Sequence, residues 1–223
     1  MKVIALGNAR LGSKRVKNKM IKPFGKTTLV EIALKRISHL KNFDEIYFAV
    51  YEDELVDIAK KIINPNSIIR RSKESAEADY PITKVLDYLK NIEFDYCMWI
   101  NSCHALLKAE TIDKAINFFK ENSFKSMTSV KKRTSWFYDE EMKPINNINP
   151  SQLRTEKSSP VYEVAHAFHV FNKKYLFQTN SYWSNIKNDP YLYVISDLEA
   201  LDVDNEADFI ISEAVYKQFP NYC

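Results

Sequence analysis

Short apolar runs alternate along this chain of 223 residues with amphipathic segments, and this alternation limits the possible fold more than any other feature. The apolar runs that we interpret as strands are residues 2–8, 44–51, 67–71, 94–102, 124–133, 165–172 and 191–195. The segments with helical spacing are residues 27–40, 53–63, 80–92, 108–122, 173–178 and 205–219. Strands that alternate with helices pair in parallel through crossover connections, so we predict an α/β protein with a mostly parallel sheet.

The pattern breaks between about Thr134 and Ser159, where aromatic residues mix with Asn, Pro and Ser without a clean period. We interpret residues 134–159 as an excursion from the sheet, either a small subdomain or a dimer arm. With 45% apolar and 13% aromatic residues, the chain can bury one sizeable core. We therefore expect a single domain over residues 1–223.

No apolar run approaches the roughly 20 residues needed to span a bilayer. The apolar core of the first ten residues, MKVIALGNAR, is too short for a secretory signal. The three cysteines, Cys97, Cys103 and Cys223, include no CxxC pair, which argues against a disulfide framework or a zinc site. We expect a cytoplasmic protein with reduced thiols and no membrane partner, and the net charge of +3 does not by itself indicate a nucleic-acid partner.

The stretch LGNARLGSKRVKNKMIKPFGK, residues 6–26, concentrates both positive charge and glycine. It holds seven of the eight Lys and Arg residues among the first thirty, and the first acidic residue is Glu31. It also holds all three glycines of the chain, Gly7, Gly12 and Gly25. Crowded, unpaired like charges repel one another unless an anion binds, so we interpret this basic loop as an anion site, with a solvated loop as the alternative.

The position of the basic loop, directly after the first strand, is the usual phosphate site of a parallel sheet. Backbone N–H groups near Gly12 can form a concave nest for phosphate oxygens, and Arg10, Lys14 and Lys19 can neutralise the charge of those oxygens. The stretch matches neither GxGxxG nor GxxxxGK[ST], which argues against a dinucleotide-binding fingerprint and a P-loop ATPase.

Three blocks of the sequence carry a family resemblance. NARLGSKRVKNKMIKPFGKTTLVEIAL, residues 8–34, resembles the opening signature of the acylneuraminate and KDO cytidylyltransferases, roughly PARGGSKRIPNKNIKPFxGKPLIxxTI. INSCHALLKAETIDKAI, residues 100–116, is similar to the family's LQPTSPLRTAEDIDEAI, and ALDVDNEADFIISEAV, residues 200–215, to its xxDIDTExDFxxAE ending. The order and approximate spacing of the blocks also agree, so the resemblance extends over most of the chain.

The resemblance implies a Rossmann-like, three-layer αβα nucleotidyltransferase of the nucleotide-diphospho-sugar transferase type, with a mostly parallel sheet. The implied enzyme transfers CMP from CTP to a small anionic acceptor and releases pyrophosphate. It would make precursors for surface glycans such as capsule or lipopolysaccharide. The excursion at 134–159 resembles in position the arm through which family members form homodimers, so we expect a homodimer.

Carried over position by position, the resemblance assigns the triphosphate to the basic loop and adds nucleotide contacts beyond it. The catalytic candidates are Arg10, Lys14 and Lys19. The nucleotide-binding candidates are Ala9, Arg10, Leu11, Gly12, Ser13, Lys14, Lys19, Arg71 and Asn101. In-line attack on a phosphorus needs positioning and charge neutralisation more than a protein nucleophile, and these residue types suit that chemistry.

Asp202 and Asp204 match the family's metal-binding pair, which implies Mg²⁺ as the cofactor. Independently, residues i and i+2 of an extended segment project to the same side, so two carboxylates can converge on one cation. The alternative is that DVDNEADF, residues 202–209, is only the acidic first turn of the last helix, capped by Asp204 or Asn205.

The departures from the family concern mainly the acceptor. The family segment YEENGAF appears here as YEVAHAF, residues 162–168, with His166 in the place of a glycine. Upstream, Lys131 to Arg133 end a predicted strand and would suit an acceptor with more than one negative charge, such as a phosphorylated or phosphonate compound; a solvated strand end is the alternative. The acceptor-binding candidates are Lys131, Lys132, Arg133, Arg154, Tyr162, Glu163 and His166.

Other interpretations stay open at this point. His166 and His169 are candidates for binding acceptor or metal, although buried, hydrogen-bonded histidines are commoner. Cys103 and His104 could form a nucleophilic pair, but the similar family block is only a loop of contacts. Within the enzymes, a sugar-phosphate uridylyl- or adenylyltransferase is the second choice. A non-catalytic relative that binds nucleotide or RNA is the third.

Overall fold

The computed structural model describes residues 1–151 and 154–219. In these ranges the strands are β1 (Val3–Asn8), β2 (Pro23–Phe24), β3 (Thr27–Thr28), β4 (Glu45–Val50), β5 (Ile68–Arg70), β6 (Tyr96–Asn101), β7 (Met127–Arg133), β8 (Val161–Asn172) and β9 (Tyr191–Val194). The α-helices are α1 (Leu29–Ser38), α2 (Asp53–Lys60), α3 (Lys73–Glu77), α4 (Ile82–Val85), α5 (Ala109–Asn122), α6 (Lys173–Thr179) and α7 (Glu206–Gln218).

Seven of these strands form one sheet in the order β5-β4-β1-β6-β8-β7-β9. Strands β5, β4, β1 and β6 pair in parallel, and β7 pairs in parallel with β9. Among the described strands of this sheet, only β8 runs antiparallel to its neighbours, β6 and β7. The prediction of an α/β protein with a mostly parallel sheet is confirmed.

The helices cover both faces of the sheet and make two apolar layers. Apolar residues of α1, α2, α5 and α7, such as Leu29, Leu55, Ile116 and Phe209, pack together on one face. On the other face, Leu86 and Leu89 beside α4 and Leu176 of α6 pack on Ile4 and Leu6 of β1. The helices therefore lie in separate layers on either side of the sheet, as a three-layer αβα protein requires.

Two turns around the basic loop follow from particular residues. Thr28 is the N-cap of α1, and its hydroxyl accepts the N–H of Glu31. Gly25 has φ +62° and turns the short β2–β3 hairpin, which the sequence analysis does not predict. Residues 80–92 differ from the single predicted helix: α4 is followed by a 3₁₀ turn over Asp87–Asn91.

The excursion contains little regular structure. Between β7 and β8 the structure shows one isolated bridge, Tyr138–Pro144, and a 3₁₀ turn over Thr155–Lys157, while residues 152 and 153 lie outside the described ranges. Its base is closed by Asn146, whose side-chain amide donates to the carbonyls of Ser135 and Ser159, both at 2.8 Å. The chain reverses direction across this excursion, and β8 therefore enters the sheet antiparallel to β7.

In the described part of the chain, we find no helix that is long and apolar enough to cross a membrane. Cys97 and Cys103 are free thiols, and Cys223 lies outside the described residues.

Candidate functional site

A cavity of about 1060 Å³ lies at the carboxyl edge of the parallel strands. Asn8 and Asn101, the last residues of β1 and β6, line it, together with residues that directly follow β4 and β5. Ligands bind at this edge in open parallel sheets because the connecting loops there diverge. The residues predicted for the nucleotide that line the cavity are Ala9, Arg10, Gly12, Ser13, Lys14, Lys19, Arg71 and Asn101.

The fold brings the basic loop against the segment that carries Asp202 and Asp204. The Arg15 guanidinium donates to Asp204 Oδ1 at 2.7 Å. Lys19 Nζ donates to the carbonyl of Val203 at 2.5 Å and lies 3.9 Å from Asp204 Oδ1. Cations near the start of the chain and carboxylates near its end therefore form one corner of the site.

The interpretation that the cations of the basic loop lack acidic partners is wrong for most of them. Arg10 pairs with Asp79 at 3.2 Å, Lys22 pairs with Glu206 at 2.7 Å, and Arg15 and Lys19 approach Asp204. These partners are remote in the sequence, so local composition does not reveal them. Among the described residues, Lys14 lines the cavity and makes no ion pair, which leaves its charge free for a ligand.

The three glycines separate into two structural positions and one position at the cavity. A Cβ on Gly7 would lie 2.6 Å from the buried ring of Phe48, so strand β1 needs glycine there to pack against β4. Gly25 makes the left-handed turn described above. A Cβ on Gly12 would meet nothing within 4 Å, yet Gly12 lines the cavity. Only Gly12 therefore stays a candidate for close approach by a ligand.

Two amides of the predicted phosphate nest already have partners, and one of them is the backbone N–H of Ser13, which donates to the carbonyl of Leu11 at 2.7 Å. The backbone N–H of Leu11 donates to Glu52 Oε1 at 2.8 Å, and Leu11 does not line the cavity. The other carboxylate oxygen of Glu52 is buried and accepts no hydrogen bond in the described structure. The nest is therefore narrower than the sequence predicts, and of the amides from Leu11 to Ser13 it keeps only that of Gly12 as a candidate donor.

Asp202 is a half-buried carboxylate with one buried, unused oxygen. Asn101 Nδ2 donates to Asp202 Oδ2 at 3.4 Å, while Asp202 Oδ1 is buried without a hydrogen-bond partner in the described structure. Burial, together with the neighbouring charge of Asp204, raises the pKa of Asp202 to about 6. A buried carboxylate oxygen without a donor is a position that a cation would stabilise.

His104 faces the same oxygen from the other side. Its Nε2 lies 2.9 Å from the carbonyl of Ala165 and must donate to it, because a carbonyl only accepts. Its Nδ1 is 3.9 Å from Asp202 Oδ1 and has no hydrogen-bond partner in the described structure. Burial lowers the pKa of His104 to about 3, so the ring is neutral and two unsatisfied acceptors face one another.

Arg71 lines the cavity but is already bonded to the protein. It is 4% exposed, and its guanidinium donates to the carbonyls of Ser75 at 2.6 Å and Val85 at 3.3 Å. It also lies over the ring of Tyr88. These contacts give Arg71 a role in holding α3 and α4 against the cavity, whatever contact it makes with a nucleotide.

None of the residues predicted to bind the acceptor lines this cavity. The cations at the end of β7 are largely neutralised: Lys131 pairs with Glu163, and Arg133 donates to Glu163 at 3.2 Å and to Asp197 at 3.1 Å. Arg154 and Tyr162 are exposed, and Lys132 pairs with Tyr162 in the β7–β8 register. The cluster therefore offers less free positive charge than its sequence suggests.

Sequence reasoning misses several residues of the site. Arg15, Glu52, Trp99 and Tyr182 line the cavity, while His104, which the sequence offers only as part of a nucleophilic pair with Cys103, faces Asp202. The sequence does signal Arg15, which lies inside the basic loop, and Glu52, which follows the end of β4. Tyr182 comes from the α6–β9 connection, and no local pattern predicts that this segment folds back over β6.

A family model described as "Cytidylyltransferase" matches residues 4–207. A Campylobacter coli protein named "Post-translational flagellin modification protein B" is 25% identical over 221 residues, which cover 94% of this chain and 93% of that protein. An uncharacterized protein of Methanocaldococcus jannaschii is 26% identical over 179 residues, which cover 77% of this chain and 71% of that protein.

Solved structures agree with the fold. A CMP:2-keto-3-deoxy-manno-octonic acid synthetase complexed with CTP superposes with a TM-score of 0.70 at 10% identity, over 98% of this chain and 99% of that one. A 4-diphosphocytidyl-2C-methyl-D-erythritol synthase from Anaerococcus prevotii superposes with a TM-score of 0.66 at 16% identity, over 97% of this chain and 96% of that one. The predicted nucleotidyltransferase fold is confirmed.

Proposed function

The chain belongs to the cytidylyltransferase family, and we propose that it transfers the CMP group of CTP to a small acidic sugar with release of pyrophosphate. The observation that carries the proposal is the corner where the basic loop meets Asp202 and Asp204, because Arg15 lies 2.7 Å from Asp204 and Lys19 bonds to Val203. A triphosphate needs cations and carboxylates that can hold a metal ion beside it; Arg15 and Lys19 line the cavity, and Asp202 and Asp204 adjoin these cations without lining the cavity themselves.

In the proposed reaction, an oxygen of the acceptor forms a bond to the α-phosphorus of CTP while the bond from that phosphorus to the bridging oxygen breaks. The bridging oxygen leaves with the electron pair as part of pyrophosphate, and the attacking hydroxyl of the acceptor releases its proton to solvent water. Lys14, Lys19 and Arg10 would hold the triphosphate and neutralise the charge that develops on the leaving group. Binding both substrates in line accounts for the rest of the acceleration.

The donor set fits Mg²⁺. The unpartnered, buried Asp202 Oδ1 is a hard oxygen ligand, and Asp204 lies beside it. No cluster of three or more His, Cys, Asp or Glu side chains able to hold a metal occurs among the described residues. Asp202 and Asp204 would therefore hold Mg²⁺ together with phosphate oxygens and water. When bound, the ion would neutralise negative charge on the triphosphate.

An acidic sugar is favoured over a phosphorylated or phosphonate acceptor. Lys131 and Arg133, which suggest a multiply charged acceptor in the sequence, are paired with Glu163 and Asp197. A single carboxylate needs less free positive charge than a phosphate does. The name of the structural neighbour that uses 2-keto-3-deoxy-manno-octonic acid supports the same class.

We further propose a role in making activated precursors for surface glycans, and a homodimer built through residues 134–159. The relative named for flagellin modification supports a product that is attached to a larger molecule. Exposed apolar side chains in the excursion, Tyr138, Met142 and Ile145, support an assembly surface there. A cytoplasmic location agrees with the use of CTP.

The test is release of pyrophosphate with CTP, Mg²⁺ and two sets of acceptors. One set contains eight- and nine-carbon 2-keto sugar acids, including 2-keto-3-deoxy-manno-octonic acid, and the other contains small sugar and polyol phosphates. We expect turnover with the first set. Turnover only with the second set would contradict the acidic-sugar assignment.

The same assay with UTP, ATP and GTP tests the nucleotide. We expect CTP to be preferred at least tenfold, since base-specific hydrogen bonds are typically worth that much. A preference for UTP or ATP would favour a uridylyl- or adenylyltransferase. Nucleotide or RNA binding with no pyrophosphate from any pair would favour a non-catalytic relative.

A further inference from the structure

Strand β8 contains an unusual bulge beside the candidate site. The register passes from the pair Thr128–His169 to the pair Val130–Val164, so one residue of β7 lies opposite four residues of β8. Within the bulge, His166 has φ +55°, the left-handed region that suits glycine. The position thus has a glycine-like backbone but carries an imidazole.

The bulge is held from two sides. The Ser129 hydroxyl accepts the N–H groups of Ala167 and Phe168 at 3.0 and 3.1 Å. From the other side, His104 donates to the carbonyl of Ala165 at 2.9 Å. A strained backbone persists only where its surroundings determine it, and such strain is concentrated at ligand sites.

A chain of hydrogen bonds ends on His166. Thr128 Oγ1 lies 2.7 Å from His169 Nδ1, and His169 Nε2 lies 3.1 Å from His166 Nδ1. Thr128 is fully buried, and the described structure shows no other acceptor for its hydroxyl, which must therefore donate to His169. His169 then carries its proton on Nε2 and donates to His166 Nδ1. A neutral His166 is left with its proton on Nε2.

Aromatic rings pack around this series of hydrogen-bonded side chains, behind the wall of the cavity. The His169 ring stacks on the rings of Trp99 and Tyr182, with distances between ring centroids of 5.6 and 5.3 Å. Both Trp99 and Tyr182 line the cavity. The Trp99 indole donates to Asn8 at 3.1 Å, which fixes the wall to β1. Burial lowers the pKa of His169 to about 3, so its ring stays neutral.

His166 is the exposed end of this arrangement. It lies beyond the last β6–β8 pair, Ile100–Phe168, at the same edge of the sheet as Asn101. Through Ala165 and His104 it adjoins Asp202, and through His169 and Trp99 it adjoins the cavity wall. His166 therefore adjoins both the corner with Asp202 and the cavity wall, and it is exposed to solvent.

We propose that Thr128 and His169 are positioning residues that hold His166 with its Nε2–H directed outward, as a hydrogen-bond donor to an oxygen of the acceptor. The proposal rests on the proposed function and adds the residue that selects the acceptor. A carboxylate is the oxygen that such a donor binds best, because hydrogen bonds to charged acceptors are stronger. His166 thereby selects acidic acceptors, and Thr128 acts on the acceptor only through the two rings.

The first test is a long-range ¹H–¹⁵N spectrum of the histidine rings at about pH 8, where an unperturbed histidine is neutral. The chain has four histidines, so assignment by single substitutions is practical. We expect His166 to be the Nε2–H tautomer. In Thr128→Val, which removes the hydroxyl and keeps the shape, we expect a mixture of His166 tautomers, and in Thr128→Ser the wild-type tautomer.

The second test is kinetic, with whichever acceptor of the two sets gives the highest rate. We expect Thr128→Val to raise the KM for the acceptor about tenfold, with Thr128→Ser near wild type. The KM for CTP should stay within twofold in both variants. A His166 that is Nδ1-protonated in the wild type, or an acceptor KM unchanged by Thr128→Val, would overturn the proposal. Failure of the wild type to bind CTP would instead count against the proposed function.

Discussion

Lys14 is the cation of the basic loop whose charge is most available to a ligand. It lines the cavity and, in the described part of the chain, makes no ion pair. We predict that Lys14→Ala lowers kcat/KM for CTP by about 10²–10³-fold, because an oriented charge at a transferring phosphate acts mainly in the transition state. Steady-state pyrophosphate release measures this effect.

The matched control for Lys14 is Lys17→Ala, which removes an exposed lysine of the same loop that does not line the cavity. We expect Lys17→Ala to keep nearly full activity, and both variants to melt as the wild type does. Equal losses in the two variants would mean that the loop acts through its general charge and not through an oriented lysine.

The left-handed backbone of His166 leads to a prediction about the free energy of unfolding, which is separate from acceptor binding. With φ +55°, a residue with a Cβ pays a steric cost of roughly 1–2 kcal/mol that glycine avoids, offset in part by the larger unfolded-state entropy of glycine. We predict that His166→Gly is more stable than His166→Ala by about 1 kcal/mol, as measured by urea unfolding. Both lack the imidazole, so they should lose acceptor binding equally. A less stable glycine variant would argue against backbone strain.

At the scale of elements, the alternation of apolar and amphipathic segments predicts most strands and helices because each obeys a local rule. Thr28, for example, caps α1 through its own hydroxyl. The antiparallel direction of β8 is not local, since it depends on how the chain returns through residues 134–159. The pairing of the basic loop with residues 202–206 is not local either, because only the finished sheet brings those charges together.

Strand β1 and the loop after it give a paired prediction. Gly7→Ala would place a Cβ 2.6 Å from the buried Phe48 ring, and we predict a loss of about 1–3 kcal/mol in the free energy of unfolding. Gly12→Ala meets nothing within 4 Å, so its stability should stay within about 0.5 kcal/mol of the wild type. Gly12→Ala should instead weaken CTP binding, measured by calorimetry. Unchanged CTP affinity in Gly12→Ala would remove Gly12 from the site.

For the whole molecule, buried histidines make the free energy of unfolding depend on pH. Burial lowers the pKa of His104 and His169 to about 3, below the unfolded value of 6.5. The free energy of unfolding is therefore unaffected by these two rings above about pH 6.5. It decreases as the pH falls, by about 2 kcal/mol for each ring at about pH 5. Asp202 has the opposite effect, because its pKa is raised to about 6 in the folded protein. As the pH falls to about 5, its protonation increases the free energy of unfolding by about 1 kcal/mol.

A variant isolates this effect. We predict that His169→Asn, which does not titrate, loses about 2 kcal/mol less than the wild type between about pH 7 and pH 5. His39→Asn, at an exposed position, should follow the wild type. Urea unfolding at both pH values measures the difference, and equal pH dependence in all three proteins would show that His169 is not held neutral by burial.

The whole fold also explains why the sequence reveals both halves of the corner formed by the basic loop and the two aspartates, but not the exact pairs within it. Each half of the corner has a local signature, the basic loop and the pair of aspartates. The contact between Arg15 and Asp204 spans 189 positions, and it exists because β1 lies inside the sheet and not at its edge, with α7 packed beside the basic loop. His104 and Glu52 have no such signature, since their roles depend only on neighbours that the fold supplies.

Calorimetry of CTP binding across a range of Mg²⁺ concentrations is the most direct test of the central claim. That claim is that the cations of the basic loop and a Mg²⁺ ion held by the two aspartates bind the same triphosphate. We predict that Mg²⁺ tightens CTP binding in the wild type by at least tenfold, that Asp202→Asn abolishes this Mg²⁺ dependence, and that Lys14→Ala weakens binding at every Mg²⁺ concentration. CTP binding that is insensitive to Mg²⁺ in the wild type, or equally sensitive in Asp202→Asn, would contradict the account.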